Sequence, residues 1–204
     1  MADYLENNIK SQRVRFFDSC SQINPNTEVV FVTVYTPSDY LGNANLKNVY
    51  NAVSEVSERV NQDYLIVIKP TVPPGTAENI HNHLSNKSYN FDFGVNPEFL
   101  KQGSAISDFL YPDRIIIVVK TKLARAKQEV VYRSFIDKNI TLIITDTVTA
   151  EMIKYASNAF LATKVAFINE MAGLCELLGA EIDLLANSVI MDHRMGKEFL
   201  KAGP

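Results

Sequence analysis

The stretch Thr149–Leu178, TAEMIKYASNAFLATKVAFINEMAGLCELL, holds no proline and a single glycine, Gly173. A continuous helix over it would run roughly 45 Å, longer than a small domain is wide. Asp146 or Thr147 can cap its start, Glu151 suits the positive end of its dipole, and Gly179 stands where a left-handed residue ends a helix. Ile153, Ala156, Phe160, Leu161, Val165, Phe167, Ile168, Met171, Leu174 and Leu178 put apolar groups on nearly every face. Such a helix is expected to be buried, clasped by other elements or by a second subunit. Lys154, Lys164, Asn169 and Glu170 interrupt every long apolar run, so it does not read as a membrane span. Lys154 and Asn158, at i and i+4, project from one face. Alone they read as a solvated polar edge; aimed inward, they would place an ammonium and an amide in one site.

The 204 residues are 47% hydrophobic and 21% charged, enough for one full domain and part of another. A net charge of -3 argues against a nucleic-acid partner. Neither a signal peptide nor a low-complexity run occurs, which makes the cytoplasm the expected compartment. Cys20 and Cys175 lie far apart in the chain and are not expected to pair; Cys175 reads as a small core residue. His81 and His83, two apart on a helix, point in different directions and read as surface residues, so no metal site is expected.

Ahead of the long helix, the period of the apolar residues alternates between strand and helix. Asp3–Lys10 reads as a short helix and Arg13–Phe17 as a short strand. Glu28–Val34 (EVVFVTV) reads as a strand buried on both faces. Leu46, Val49, Tyr50, Val53, Val56 and Val60 mark an amphipathic helix that Asn45 can cap. Tyr64–Lys69 is a second buried strand, followed by the stiff loop Pro70–Thr76 and a helix to Leu84. Phe91–Val95 and Ile115–Val119 are further strands. A helix Lys122–Ser134 and a strand Thr141–Thr145 precede the long helix. This pattern predicts an α/β fold: a mostly parallel, partial Rossmann-like sheet over residues 1–145. Residues 146–204 would supply the long connecting helix and the start of an all-helical domain.

In parallel sheets, ligands sit outside the carboxyl ends of the strands. Three loops follow strands here: Tyr35-Thr36-Pro37, Lys69-Pro70-Thr71 and Asn96-Pro97-Glu98. A hydroxyl, an amide and a carboxylate therefore converge on one edge, on backbones stiffened by proline. Any one of these loops is ordinary turn chemistry; three on one edge suggest a site.

The runs VFVTVYTPS, IKPTVPPGTA, NPEFLKQGSAISDFLYPDRIII, KYASNAFLATKVAFINEMAGLCELLGAEID and MDHRMGKEFLKAGP together resemble the UDP-glucose/GDP-mannose dehydrogenase family along nearly the whole chain. The PDR context resembles its UDP-glucose branch. The resemblance implies oxidation of a sugar C6 alcohol to a carboxylate with two NAD and no metal, through an aldehyde that adds to a cysteine thiol. It assigns Thr71 and Glu98 to the hydrolytic water, and Lys154 and Asn158 to a developing oxyanion. Phe99 and Leu100 would line the nucleotide-sugar pocket, with Glu98, Lys154 and Asn158 also at the substrate. Arg194 would reach the sugar nucleotide across a dimer interface. Tyr35, Thr36, Pro37, Thr71 and Gln102 would lie along NAD. The implied partners are a UDP-sugar and a second copy of the chain, as a homodimer or higher oligomer, with neither nucleic acid nor membrane.

Some features depart from the family. Gln102 stands where a second Glu is usual, and Pro70 where Ser is common. The family's GxGxxG loop and its GGSCFPKD cysteine run have no counterpart in these residues. The expectation is the middle of such an enzyme, inactive on its own. Two alternatives stand beside it: a dehydrogenase of UDP-N-acetylhexosamines or GDP-mannose, and a non-catalytic module that dimerises or binds a nucleotide sugar. With no first strand present, the outer edge of Glu28–Val34 should be covered by Arg13–Phe17 or by another chain, or else the N-terminal segment should leave its family position.

Overall fold

A computed structural model describes residues 2–60, 64–85, 91–101 and 103–196. The chain divides into two compact units, 1–154 and 155–204.

The first unit begins with α1 (Ala2–Lys10) and a single 3-10 turn, Cys20–Gln22. It continues through β1 (Val29–Val32), α2 (Lys47–Ser57), β2 (Tyr64–Ile68), α3 (Thr76–Ser85) and β3 (Phe91–Val95). α4 (Ala105–Leu110), β4 (Arg114–Val118), α5 (Lys122–Ile136) and β5 (Thr141–Thr145) follow. The first turns of α6 (Thr147–Leu178) close the unit. Every strand pairing is parallel: β1-β2-β3 form one ladder and β4-β5 another. YLIVI makes β2 the central strand because it has no polar residue to leave in water, and all five residues are buried. Successive side chains alternate between the two faces of a strand. Tyr64, Ile66 and Ile68 accordingly join the larger core with Val49, Val53 and Ile80, while Leu65 and Val67 pack with Ala124 on the other face.

The two ladders are held together by side chains. Gln128 of α5 is fully buried, and its Nε2 donates to the Val118 carbonyl at 2.8 Å. A Cβ at Gly94 would lie 2.7 Å from that nitrogen and 2.9 Å from the Val118 oxygen, so only glycine fits there. At the strand ends, Asn96 Nδ2 donates to the Ile116 carbonyl at 2.8 Å.

The structure differs from the sequence expectation in three places. Arg13–Phe17 forms no strand, and its Phe16 and Phe17 are exposed. Among the described residues no strand pairs the outer edge of β1, so the first of the three expected outcomes, cover by Arg13–Phe17, does not occur. β1 itself is shorter than Glu28–Val34 and mostly half-buried. His81 is not a free surface residue: its ring packs edge-on against Phe91 and Phe93, with centroids 5.8 and 6.1 Å away.

The second unit holds most of α6 and α7 (Ile182–Val189). Gly179 ends α6 at φ +70°, and the Ala180 N–H returns to the Cys175 carbonyl at 2.9 Å. Ile168 and Ala186 anchor a small core with Met171, Ile182 and Leu185. Other elements of the described chain do not clasp α6: most of its apolar residues remain exposed in the single chain, Phe160 at 63% and Leu177 at 83%. No described helix is long and apolar enough to cross a membrane.

Candidate active site

The carboxyl ends of β1, β2 and β3 lie side by side, so the loops that follow them share one edge. Thr36 Oγ1 donates to the Thr71 carbonyl at 3.3 Å and ties the first loop to the second. Lys69, the first residue after β2, reaches Asn96, the first after β3, with its Nζ 3.0 Å from Asn96 Oδ1. Tyr132 of α5 donates its hydroxyl to the same oxygen at 2.5 Å. Asn96 is buried with its side-chain oxygen and nitrogen both satisfied, which fixes Lys69 in place. Burial pushes the Tyr132 hydroxyl well above the ordinary tyrosine value.

Lys154 comes to this edge from α6 and is only 9% exposed. Its Nζ stands 5.2 Å from the centroid of the Phe99 ring, and the Arg114 guanidinium lies 4.4 Å from the same centroid. Burial pushes the Lys154 ammonium below the ordinary 10.5, and the Glu98 carboxylate draws it partway back. Lys69 is lowered as well: burial dominates, Glu98 opposes it, and the Lys154 ammonium adds to it. Both ammonium groups are thus partly desolvated and lie in the field of the same carboxylate. Perturbed ionisable groups at a strand-end crevice are characteristic of catalytic sites.

Of the residues expected from sequence, Thr36, Thr71, Glu98, Phe99 and Lys154 fall together at this edge. Tyr35 and Pro37 flank Thr36; the Tyr35 ring is 76% exposed and its carbonyl accepts from Asn48 Nδ2 at 3.0 Å. Leu100 follows at the rim. Gln102 lies outside the described residues. Asn158 and Arg194 belong to the second unit. Asn158 is exposed one turn beyond Lys154. Arg194 folds onto its own turn, its Nε donating to Asp192 Oδ1 at 2.9 Å. Cys20 lies beside Glu55, and burial together with that carboxylate raises its thiol pKa. Among the described residues no group of three His, Cys, Asp or Glu side chains is placed to hold a metal.

Three contributors were not singled out from sequence. Lys69 had a signal, being the first cation after a wholly apolar strand. Tyr132 had none, since it reads as one apolar position of an amphipathic helix. Glu151 was read as serving the dipole of its own helix, but its carboxylate binds elsewhere. Gly75 N donates to Glu151 Oε2 at 2.6 Å and Ala77 N to Oε1 at 3.0 Å, at the amino end of α3. Burial raises the Glu151 pKa, while these two N–H groups pull it down. Its spacing of three from Lys154 was the available clue.

A parallel sheet with polar, partly desolvated groups at its strand ends is the arrangement in which Rossmann-like folds bind their ligands. Residues 1–136 match the NAD binding domain of the UDP-glucose/GDP-mannose dehydrogenase family, and residues 148–204 match its central domain; the chain belongs to this family. It is 50% identical over 202 residues to the UDP-glucose 6-dehydrogenase of Rickettsia typhi, across 99% of this chain and 46% of that protein. The structure of a UDP-glucose dehydrogenase from Pyrobaculum islandicum superposes with a TM-score of 0.91 at 33% identity, covering 98% of this chain and 47% of that one. A GDP-mannose dehydrogenase from Pseudomonas aeruginosa gives a TM-score of 0.86 at 26% identity, covering 98% and 48%. The chain therefore spans under half the length of the relatives it matches.

Proposed function

We propose that the chain is a segment of an NAD-dependent UDP-glucose 6-dehydrogenase, which oxidises UDP-glucose to UDP-glucuronate. Residues 1–145 would serve the nucleotide cofactor, and 146–204 would carry the connecting helix and the helical part. The observation that carries this reading is the buried Lys154 over the Phe99 ring at the strand-end edge, in the field of the Glu98 carboxylate, in a chain half identical to such an enzyme. The exposed Tyr35 ring at the end of β1 fits a dinucleotide, since it offers a flat face to stack on. NAD, when bound, accepts hydride from the sugar C6.

The chain's own residues do the rest. Lys154 and Asn158 would stabilise negative charge on the C6 oxygen as hydride leaves, an effect worth ~3–4 kcal/mol per donor. Thr71 and Glu98 would hold the water whose oxygen enters the acid, with Glu98 accepting its proton. Phe99 and Leu100 would line the sugar pocket, and Arg194 would bind the nucleotide sugar. Tyr35, Thr36, Pro37 and Thr71 would line the cofactor, along with Gln102. The exposed apolar residues of α6 support a second copy of the chain as partner, and that assembly would act in the cytoplasm.

The test is NADH formation by the full-length polypeptide that carries these residues, with UDP-glucose, a UDP-N-acetylhexosamine and GDP-mannose offered separately. The expected result is two NADH per UDP-glucose and little turnover of the others. Preference for another sugar would assign a sister activity. No turnover of any of the three would favour a non-catalytic module.

A further inference from the structure

Glu151 stands apart from the residues given a chemical task, yet it is more deeply buried than Lys154, at 2% exposure. Its two oxygens take the backbone N–H groups of Gly75 and Ala77, where the loop carrying Thr71 turns into α3. Glu151 sits three residues before Lys154 on α6, so both side chains leave the same face. Gly75 has φ +86°, a conformation that fixes the direction of its N–H and that few side chains tolerate. Amino-terminal N–H groups of a helix favour an anion, and a bidentate carboxylate sets orientation as well as distance. Thr71 is also held from its other side, by the Thr36 hydroxyl on its carbonyl.

We propose that Glu151 is a positioning residue: by gripping Gly75 and Ala77 it locks the Thr71 loop to the turn of α6 that carries Lys154. Through this clamp, the group assigned to the water and the group assigned to the oxyanion move as one body. The catalytic consequence rests on the dehydrogenase reading; the clamp itself does not.

Glu151→Gln separates the possibilities. Its amide keeps one acceptor and turns an N–H2 toward a backbone N–H, so one bond is lost and one donor is left facing another. Hydrogen exchange on the full chain comes first. The expected result is exchange about 10-fold faster or more at the amides this loop carries, those of Thr71, Val72, Gly75, Thr76 and Ala77, with β2 unchanged. Unchanged exchange, a change confined to Gly75 and Ala77, or loosening that spreads through β2 would each overturn the clamp. Kinetics of the full-length polypeptide come second. A positioning role lowers kcat about 10-fold or more with KM for the sugar nucleotide nearly constant, and Glu151→Asp, which keeps both oxygens, restores part of the rate. Full kcat in Glu151→Gln would reduce the contact to a helix cap. Wild-type protein without dehydrogenase activity would overturn the functional reading, and the exchange data would still decide the clamp.

Discussion

The two ends of α6 are built on opposite terms. From Thr147 to Lys154 the helix turns one face inward, burying Thr147, Ala150, Glu151 and Lys154: Glu151 holds α3, and Lys154 lies over the Phe99 ring. From Phe160 to Leu178 it is apolar in sequence and largely exposed. Burying charge is costly unless a partner compensates, so the first region persists only through specific contacts, which is how sites are held. Exposed apolar surface costs free energy until something covers it, so the second region calls for association. In one helix, buried polar groups mark the candidate site, and the exposed apolar groups mark the surface proposed to meet a second copy.

The largest expected effect falls on the exposed half. Phe160→Asp with Leu177→Asp should abolish self-association, since losing central interface anchors costs ~2 kcal/mol or more each. Sedimentation velocity at micromolar concentration checks this; a wild-type chain already monomeric and well folded would break the comparison at its apolar end. In the buried sheet beneath the strand-end edge, Gly94→Ala should destabilise by ~1–3 kcal/mol, because the new methyl meets Gln128 Nε2 and the Val118 oxygen below 3 Å. A thermal scan reads it, and an unchanged melting temperature would show that Gln128 can move aside. Tyr132→Phe should cost ~1 kcal/mol, since Asn96 Oδ1 keeps Lys69 as a donor. Chemical denaturation would report it, and a neutral substitution would remove Tyr132 from the network.

The smallest effect is a pH dependence. Lys69 and Lys154 have folded pKa values below the ordinary 10.5. Between the folded and unfolded values the unfolded chain binds more protons, so stability rises with pH there. The burial penalty is present in full below the folded pKa and fades towards 10.5. Denaturation midpoints should climb relative to Lys154→Met as the pH rises towards 10.5, and parallel curves for the two proteins would contradict the desolvation argument.

Much of this could be read from sequence, for physical reasons that differ by region. YLIVI has one solution, a strand covered on both faces, and the structure gives it. NPEFL and KYASN carried Glu98 and Lys154 to one edge because parallel strands deliver their loops together. Arg13–Phe17 misled because a strand-like pattern becomes a strand only with a neighbour to pair. The apolar girth of α6 showed that cover is needed, but apolarity does not say what supplies it. The Lys69–Asn96–Tyr132 contacts join residues from separate elements, and no local pattern reports which hydroxyl meets which amide. Glu151 was visible as an anion at a helix start, but the helix it serves is α3.

The central claim is that the strand-end edge built on Glu98 and Lys154 is an oxidation site for a nucleotide sugar. Lys154→Ala in the full-length polypeptide tests it most directly, with kcat and the Kd for UDP-glucose measured on the same preparation. The oxyanion it would stabilise exists only beyond the ground state. The expected result is therefore a kcat lower by about 100-fold or more with a nearly constant Kd. An unchanged kcat, or a loss confined to binding, would contradict it.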